Sequence, residues 1–392
     1  MGMGWHILRR KALTALAAAL ACVHAAAWAA EGQGGAPFSV SAAAPALSLV
    51  PSSSLSDAGS PGPLPPLQGH LGPELFTLSM PDEEVIARYT DGLRAGQGDW
   101  LQGVLDRSLR YREVITRAIA ARKLPRELRY LPAVESGFQG RALSPRGAAG
   151  LWQLMRNTAS PYGLRMDQWL DERRDFWKAT DASLDKLAEN YAIFGDWYMA
   201  LAAYNCGVGK LSAIVRRYPG SDYWALRRKG VLPRETAAFV PQFLALTRIL
   251  SYPGRYGLSV GWDPSAQWAR IPVDRCVDLR ILSRESGVPL DILTAGNQEL
   301  NFPMTPPGSY GYQLKVPAQY GDAVLKTLAS ATLPLLEFSV HVVSAGDTLF
   351  AMAKKYGVTV DLIQEFNPQL APRTLRIGAK VLVPVRPAGV SG

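Results

Sequence analysis

Residues 131–155 read LPAVESGFQGRALSPRGAAGLWQLM and hold one acidic side chain, Glu135. The preceding residues give PRELRYLPAVES the pattern of a helix, and Gly137 is a natural end for it because glycine readily adopts the left-handed conformation. Glu135 is therefore predicted to lie in the last turn of a helix. At that position the negative end of the helix macrodipole disfavours a charged carboxylate.

The environment predicted for Glu135 is largely apolar. Burial and the helix dipole both raise a carboxyl pKa, and a carboxylic acid that stays protonated near neutral pH can act as a general acid. The alternative is a solvated glutamate in a salt bridge with Arg141 or Arg146, the common role of a surface carboxylate. The side chains proposed to shield Glu135 from water are Phe138, Leu151, Trp152, Met155 and Tyr204.

Nearby residues favour a ligand site over a surface salt bridge. The glycines of 147–150 let the backbone approach a ligand closely. Trp152 offers a stacking face and Gln153 an amide, while Tyr204 and Asn205 add a hydroxyl and a second amide. Aromatic faces with scattered amides suit a sugar polymer that carries N-acetyl groups.

Three stretches resemble the soluble lytic transglycosylase domain of bacterial murein-degrading enzymes: VESGFQGRALSPRGAAGLWQLMRNTASPYGL, ALAAYNCGVGKL and PRETAAFVP. The resemblance implies a mainly α, lysozyme-like domain in which Glu135 is the catalytic acid. It places Ser144 where the reacting sugar is oriented, and gives Ser136, which follows the glutamate, a more structural role. The other residues that it places along the cleft are Gln153, Met155, Tyr204 and Asn205.

A single carboxylate restricts the chemistry. Glycoside hydrolysis normally needs two carboxyl groups, and residues 131–165 contain no second one. The resemblance implies a non-hydrolytic course. Glu135 protonates the leaving oxygen of the β-1,4 MurNAc–GlcNAc bond and then deprotonates the C6 hydroxyl, which gives a 1,6-anhydroMurNAc end. A muramidase-type hydrolase that uses a distant carboxylate, and a non-catalytic peptidoglycan-binding protein, remain as alternatives.

The C-terminal third contains an internal repeat. Each unit is predicted to fold as strand, helix, turn, helix and strand, with first strands at 268–272 and 338–343. The stretches 277–301 and 346–370 resemble each other, with identical residues 70 positions apart: Gly287 and Gly357, Val288 and Val358, Asp291 and Asp361, and Asn297 and Asn367.

The second repeat, with VSAGDTLFAMAKKYGV and FNPQL, resembles a LysM peptidoglycan-binding module. Asp347 is also a candidate cap for its first helix. The first repeat lacks the Gly-Asp-Thr-Leu loop and carries an insertion, FPMTPPGSYGY. We expect it to be a degenerate unit that packs against the catalytic domain, and whether it binds glycan stays open. The residues that the resemblance assigns to glycan binding in the second repeat are Gly346, Asp347, Thr348, Leu349, Asn367, Pro368 and Gln369.

The N-terminus predicts export. Three basic residues at 9–11 precede an apolar run and an Ala27-Trp28-Ala29 cleavage pattern. The expected location is therefore the periplasm. A retained signal anchor is one alternative, and lipidation at Cys22, which would anchor the protein to the outer membrane, is another. Cys206 and Cys276 are expected to be free thiols, although a bridge between them stays open.

Composition limits the partners. The net charge of +9 is compatible with an anionic polymer as a partner. The sequence has no run of five basic residues, so nucleic acid is not favoured as that partner. We expect no metal and no cofactor, because the sequence has neither a P-loop nor a ligand cluster. The fold class expected is α+β multidomain. The domains predicted are a signal peptide at 1–29, a Pro/Ser/Ala-rich linker at 30–79, the catalytic domain at 80–262, a degenerate LysM-like unit at 263–332 and a LysM domain at 338–386.

Overall fold

The computed structural model describes residues 78, 83–261, 267–330, 337–368, 370 and 375–385. The predicted signal peptide, Cys22 and the linker up to residue 77 lie outside the described residues. The rest falls into two compact units, one of which is formed by 343–379.

Helices make up the part of the chain from residue 83 to 261, which packs around one apolar core. Full burial of a large apolar side chain contributes about 1.5–3 kcal/mol, so this core is the main source of stability here. The helices are α1 (Glu83–Gly96), α2 (Gly98–Ala121), α3 (Leu131–Ser136), α4 (Arg156–Ala159), α5 (Phe176–Phe194), α6 (Trp197–Cys206), α7 (Val208–Arg217), α8 (Tyr223–Arg228) and α9 (Arg234–Ser251), with short 3₁₀ turns at Arg126–Tyr130, Ser160–Tyr162, Glu172–Arg174 and Pro253–Tyr256.

Helical periodicity in the sequence locates the buried faces well. Leu101, Leu105, Ile115 and Ile119 all face the core from α2, as their spacing predicts. Residues 197–203 are apolar on nearly every side, which predicts a buried helix, and residues 198–203 of α6 are all buried. Helix α6 follows α5 in the chain and carries Tyr204 and Asn205 in its last turn.

The apolar periodicity of the sequence predicts one helix from Asp181 to Phe194 and another from Pro241 to Leu250, and both helices begin earlier in the structure. Helix α5 begins at Phe176 instead of Asp181, because Asp175 caps it by accepting from the backbone N–H groups of Trp177 and Lys178. Helix α9 begins at Arg234 instead of Pro241. An internal proline costs about 3 kcal/mol, but α9 buries side chains on both sides of Pro241, which outweighs that cost.

The two repeats have the predicted strand–helix–helix–strand order. The strands pair antiparallel, Trp268 opposite Pro317 in the first repeat and Glu337 opposite Val385 in the second. A helix after the first repeat was not predicted. The elements are β1 (Trp268–Val273), α10 (Leu279–Ser286), α11 (Leu290–Gly296), β2 (Tyr312–Pro317), α12 (Gly321–Ala329), β3 (Glu337–Val342), α13 (Leu349–Tyr356), α14 (Val360–Phe366) and β4 (Lys380–Val385).

Within the described residues, Cys206 and Cys276 are free thiols, as predicted. None of the helices in this part of the chain is both long and apolar enough to cross a membrane. The same residues contain no group of three His, Cys, Asp or Glu side chains that could hold a metal ion.

Candidate active site

Glu135 lies in the last turn of α3, as predicted. Gly137 ends the helix in the left-handed conformation with φ 59°, and its N–H donates to the carbonyl of Ala133. Phe138 follows with φ 60°, which is unusual for a residue with a side chain. The chain therefore reverses sharply directly after the carboxylate and returns along it.

The carboxyl of Glu135 has a strongly perturbed pKa. Burial and, as a smaller contribution, the negative charge of Glu235 together raise the pKa from 4.5 to about 8. Among the described residues, no cation lies within 4.0 Å of Glu135, and Arg146 instead lies 3.9 Å from Glu235. The salt-bridge alternative for Glu135 is therefore not supported, and the carboxyl is held neutral near pH 7.

Three of the residues that are predicted to shield Glu135 from water, which we call the apolar wall, belong to the apolar core of this helical part of the chain. Phe138, Leu151 and Trp152 are all buried. The indole N–H of Trp152 donates to Thr180 Oγ1 at 3.0 Å, which satisfies the polar end of the ring. Met155 was predicted to belong to the same wall, but its side chain is 38% exposed and so cannot seal the carboxyl from water.

The segment from Ala142 to Leu154, which we call the cleft loop, folds back on itself. Ser144 Oγ accepts from the Ala148 N–H at 3.0 Å, an arrangement that leaves its own proton available to a ligand. Gln153 adopts φ 47°, and its Nε2 donates to the Gly150 carbonyl at 2.9 Å. The Gln153 amide therefore stabilises the cleft loop from within.

Ser136 connects the helix to the cleft loop. It is buried, and its Oγ donates to the Leu151 carbonyl at 2.8 Å. This contact fixes the spacing between the helix that carries Glu135 and the opposite side of the reversal. A structural role, as the sequence resemblance implied, fits that position.

Tyr204 reaches the same region from α6. Its hydroxyl donates to the Trp152 carbonyl at 2.8 Å and lies 3.2 Å from Ser183 Oγ. Burial, and then the charge of Glu135, raise the Tyr204 pKa well above 10, so the phenol stays protonated. The effect of Glu135 on this pKa shows that the two side chains interact electrostatically. Tyr204 thus ties α6 to the apolar wall.

Asn205 is oriented by α9. Its Nδ2 donates to Glu235 Oε1 at 3.2 Å, and its Oδ1 accepts from Thr236 Oγ1 at 2.8 Å. Both ends of the amide are therefore specified, because a flipped amide would lose both bonds. The amide is held in one orientation at the edge of the site.

Glu235 is a residue that sequence reasoning missed. It lies 100 positions after Glu135, outside the stretch searched for a second carboxylate, and no periodicity joins the two. One feature of the sequence could have pointed to Glu235: it lies in PRETAAFVP, one of the three stretches that resemble the transglycosylase domain. The structure brings it close enough to raise the pKa of Glu135 and to bond Asn205.

Two domains of the chain match known protein families. A model of the transglycosylase SLT domain matches residues 114–226, and a model of the LysM domain matches residues 341–384. Membrane-bound lytic murein transglycosylase D of Escherichia coli strain K12 is 31% identical over 71% of this chain and 66% of its own length. The chain therefore contains a transglycosylase SLT domain and a LysM domain.

The match spans just under two thirds of the Escherichia coli relative. Among solved structures, the complex of the 70-kDa soluble lytic transglycosylase with bulgecin A is 22% identical, with a TM-score of 0.35, over 43% of this chain and 30% of that one.

Loop 346–349 of the LysM domain differs from expectation in one respect. Asp347 was a candidate helix cap, but Thr348 caps α13 instead, its Oγ1 accepting from the Ala351 N–H at 3.0 Å. Asp347 accepts from the Ser344 N–H at 2.7 Å and so closes the turn before the helix. Thr348 takes this role because α13 begins at Leu349, so Thr348 and not Asp347 occupies the N-cap position.

The second LysM loop contains Asn367 and Pro368. Asn367 is buried and its Nδ2 donates to the Ile363 carbonyl at 2.6 Å, so its side chain supports the loop. Pro368 is exposed, whereas Gln369 lies outside the described residues. In the first loop, Gly346 has φ 88° and Leu349 is buried. A glycan contact in either loop therefore relies mainly on backbone and on exposed side chains.

Proposed function

We propose that this protein cleaves the β-1,4 MurNAc–GlcNAc bond of peptidoglycan without water, leaving a 1,6-anhydroMurNAc end. The observation that carries the proposal is the state of Glu135, a carboxyl with a pKa near 8 and no ion pair to a cation in the part of the chain that the structure describes. Such a group is protonated at neutral pH and can give its proton to the leaving oxygen. Because its pKa lies near the working pH, it can also take a proton back.

The remaining site residues have positioning roles in this proposal. The hydroxyl of Ser144 and the fixed amide of Asn205 are suited to orient the reacting sugar and its N-acetyl group. Met155 and Gln153 border the cleft, and Tyr204 holds α6 against the apolar wall. Removal of water from the carboxyl by Phe138 and its neighbours strengthens the interaction between the acid and the leaving oxygen.

A hydrolase is the second candidate, and Glu235 is the observation that favours it. A second carboxylate near the acid is what a hydrolytic glycosidase requires. However, Glu235 accepts a hydrogen bond from Asn205 and lies 3.9 Å from Arg146, and it is more than half exposed. We propose instead that Glu235 positions Asn205 and supports the neutral form of Glu135.

Mass spectrometry of the products from purified peptidoglycan tests the reaction. We expect fragments that end in anhydroMurNAc, each one water lighter than its hydrolytic counterpart. Reducing ends would show that water is the nucleophile and would favour the muramidase reading. If no fragments form while the protein still sediments with the wall, only a binding function remains.

The pH dependence of activity should reflect Glu135. The acid must be protonated, so kcat/KM should be high below pH 8 and fall as the pH rises through about 8. Removal of the Glu235 charge in Glu235→Gln should lower the Glu135 pKa and move this fall to lower pH. The shift should be small, because Glu235 is exposed and solvent screens its charge.

The same variant separates the two candidate reactions. If Glu235 were the base of a hydrolase, Glu235→Gln would reduce the rate by about 10²–10⁴-fold. A positioning residue should cost far less and leave the anhydro product unchanged. Glu84→Gln, which removes an exposed carboxylate on α1, is the control for the change in net charge.

We further infer that the LysM domain holds the enzyme on the glycan of the wall. Export by the N-terminal segment would place the chain in the periplasm, and lipidation at Cys22 would anchor it to the outer membrane. Two observations support an envelope location. Three basic residues precede the N-terminal apolar run, and the Escherichia coli relative is named as membrane-bound.

A further inference from the structure

One loop of the first repeat forms backbone hydrogen bonds with the SLT domain. The carbonyl of Glu299 accepts from the Asp171 N–H at 2.9 Å, and the N–H of Asn301 donates to the Trp169 carbonyl at 2.9 Å. This loop, residues 297–301, aligns with 367–371, which includes the second glycan-binding loop assigned to the LysM domain. In the first repeat, the SLT domain therefore occupies the position that a glycan would take.

Side chains reinforce this backbone pairing. Asn301 Nδ2 donates to the carbonyls of Asp167 and Gln168, both at 3.0 Å, and its Oδ1 accepts from Arg174 Nη2. Gln298 comes so close to Gly140 that a Cβ at that glycine would lie 1.7 Å from Gln298 Oε1. The loop is fitted closely to the SLT domain on both sides of Glu299.

A buried ionic cluster lies behind the loop. Lys315 Nζ is 3.0 Å from Asp175 Oδ2 and also contacts Glu299 Oε1, and all three side chains are buried. Removing one member of a buried ion pair is strongly unfavourable, because it leaves an uncompensated charge. At the position aligned with Lys315, the LysM domain has Leu382. The lysine thus belongs to the contact with the SLT domain and not to the LysM-type fold.

The segment held by the first repeat is the one that supports the cleft loop. Asp171 binds the guanidinium of Arg173 at 2.7–2.9 Å. Arg173 Nη1 in turn donates to the carbonyls of Gly147 at 2.6 Å and Leu154 at 3.0 Å. A continuous chain of contacts therefore runs from Glu299 through Asp171 and Arg173 to two points of the cleft loop, the turn beside Ser144 and the C-terminal end of the loop.

The first repeat also closes its own first loop. The Val277 N–H donates to Thr305 Oγ1 at 2.8 Å, and the Leu279 N–H donates to the Pro303 carbonyl at 2.9 Å. Thr305 and Pro303 belong to the insertion FPMTPPGSYGY. The backbone donors that open a LysM-type loop are therefore used internally.

We propose that the first repeat is a positioning module of the catalytic domain, with Glu299 and Asn301 as positioning residues that act on the cleft loop through Asp171 and Arg173. The proposal rests on the transglycosylase function proposed above. The repeat uses its glycan-binding edge to hold the cleft loop in the arrangement that orients substrate beside Glu135. Small displacements of such loops can reduce rates by up to about 10²-fold.

The test uses the full-length chain with Glu299→Gln, which keeps the shape of the side chain, and Asn301→Ala. The matched control is Glu285→Gln, the same change at an exposed position of the first repeat, where the carboxylate pairs with Arg284. Two quantities are measured: kcat and KM on soluble peptidoglycan fragments, and hydrogen exchange of the backbone amides in residues 142–154.

Both test variants should lower kcat by about tenfold, with a smaller change in KM, and exchange in 142–154 should accelerate. Exchange in α2 and sedimentation with the wall should stay as in the parent protein, and Glu285→Gln should change nothing. A lower Tm with unchanged kcat and unchanged exchange in 142–154 would overturn the proposal, because the repeat would then only stabilise the chain. If the parent protein were inactive, the proposed function would fail, and the exchange measurement would still test the positioning role.

Discussion

Glu135→Gln should abolish formation of anhydro-ended fragments, with a rate loss of at least about 10³-fold. Glutamine has the size of the protonated acid but no transferable proton, so both the acid step and the base step are lost. General acid–base catalysis by one group typically contributes about 10²–10⁴-fold, and here one group serves both steps. The measurement is the initial rate of product release from purified peptidoglycan, followed by mass spectrometry.

The stability of the same variant gives an independent check. The neutral form of Glu135 is favoured in the folded protein, whose carboxyl has a pKa near 8, against 4.5 for an unperturbed one. The stability associated with this neutral carboxyl is fully present below about pH 4.5 and is lost as the pH rises to about 8. Glu135→Gln should remove this loss, so its Tm should exceed that of the parent protein at pH 8 and approach it at pH 4.5.

These two results together distinguish a catalytic acid from a structural one. A structural glutamate would give a less stable variant whose activity falls in proportion to its folded fraction. Glu84→Gln should match the parent protein in both rate and Tm. A Glu135→Gln protein that still released anhydro ends at more than a tenth of the parent rate would contradict the assignment.

The position of Glu135 was predictable because its determinants are local. The helix pattern, Gly137 and the apolar residues that follow are all within about 20 positions of the carboxylate. The network around Asn205 was not predictable in the same way, since Glu235 and Thr236 come from a helix about 30 residues further along the chain. Only the family resemblance connected these segments before the structure did.

Lys315 shows a different limit of sequence reasoning. In β2, alternation places Leu314 and Val316 on one face and predicts that Lys315 faces solvent. The structure buries Lys315, because the SLT domain covers the other face of this strand with Asp175. The alternation of residues in a strand predicts which face packs within its own sheet. It does not predict that another domain covers the opposite face and pairs a carboxylate with a lysine there.

Gly150→Ala should be among the most destabilising single substitutions in the cleft loop. Gly150 has φ 82°, and a Cβ there would lie 1.9 Å from the carbonyl oxygen of Arg173 and 2.8 Å from its carbonyl carbon. Backbone atoms cannot rotate away as a side chain can. We expect a loss of at least about 3 kcal/mol in the free energy of unfolding, measured by urea denaturation.

Gly147→Ala is the matched control for Gly150→Ala. Gly147 has φ 84°, so the backbone strain is the same, but a Cβ there would meet nothing within 4 Å. It should cost only the strain of a left-handed alanine, about 1–2 kcal/mol. The difference between the two variants therefore measures the close approach to Arg173 alone. Equal losses would mean that the 171–175 segment can move away from the cleft loop, which would also weaken the case that the first repeat holds that segment in place.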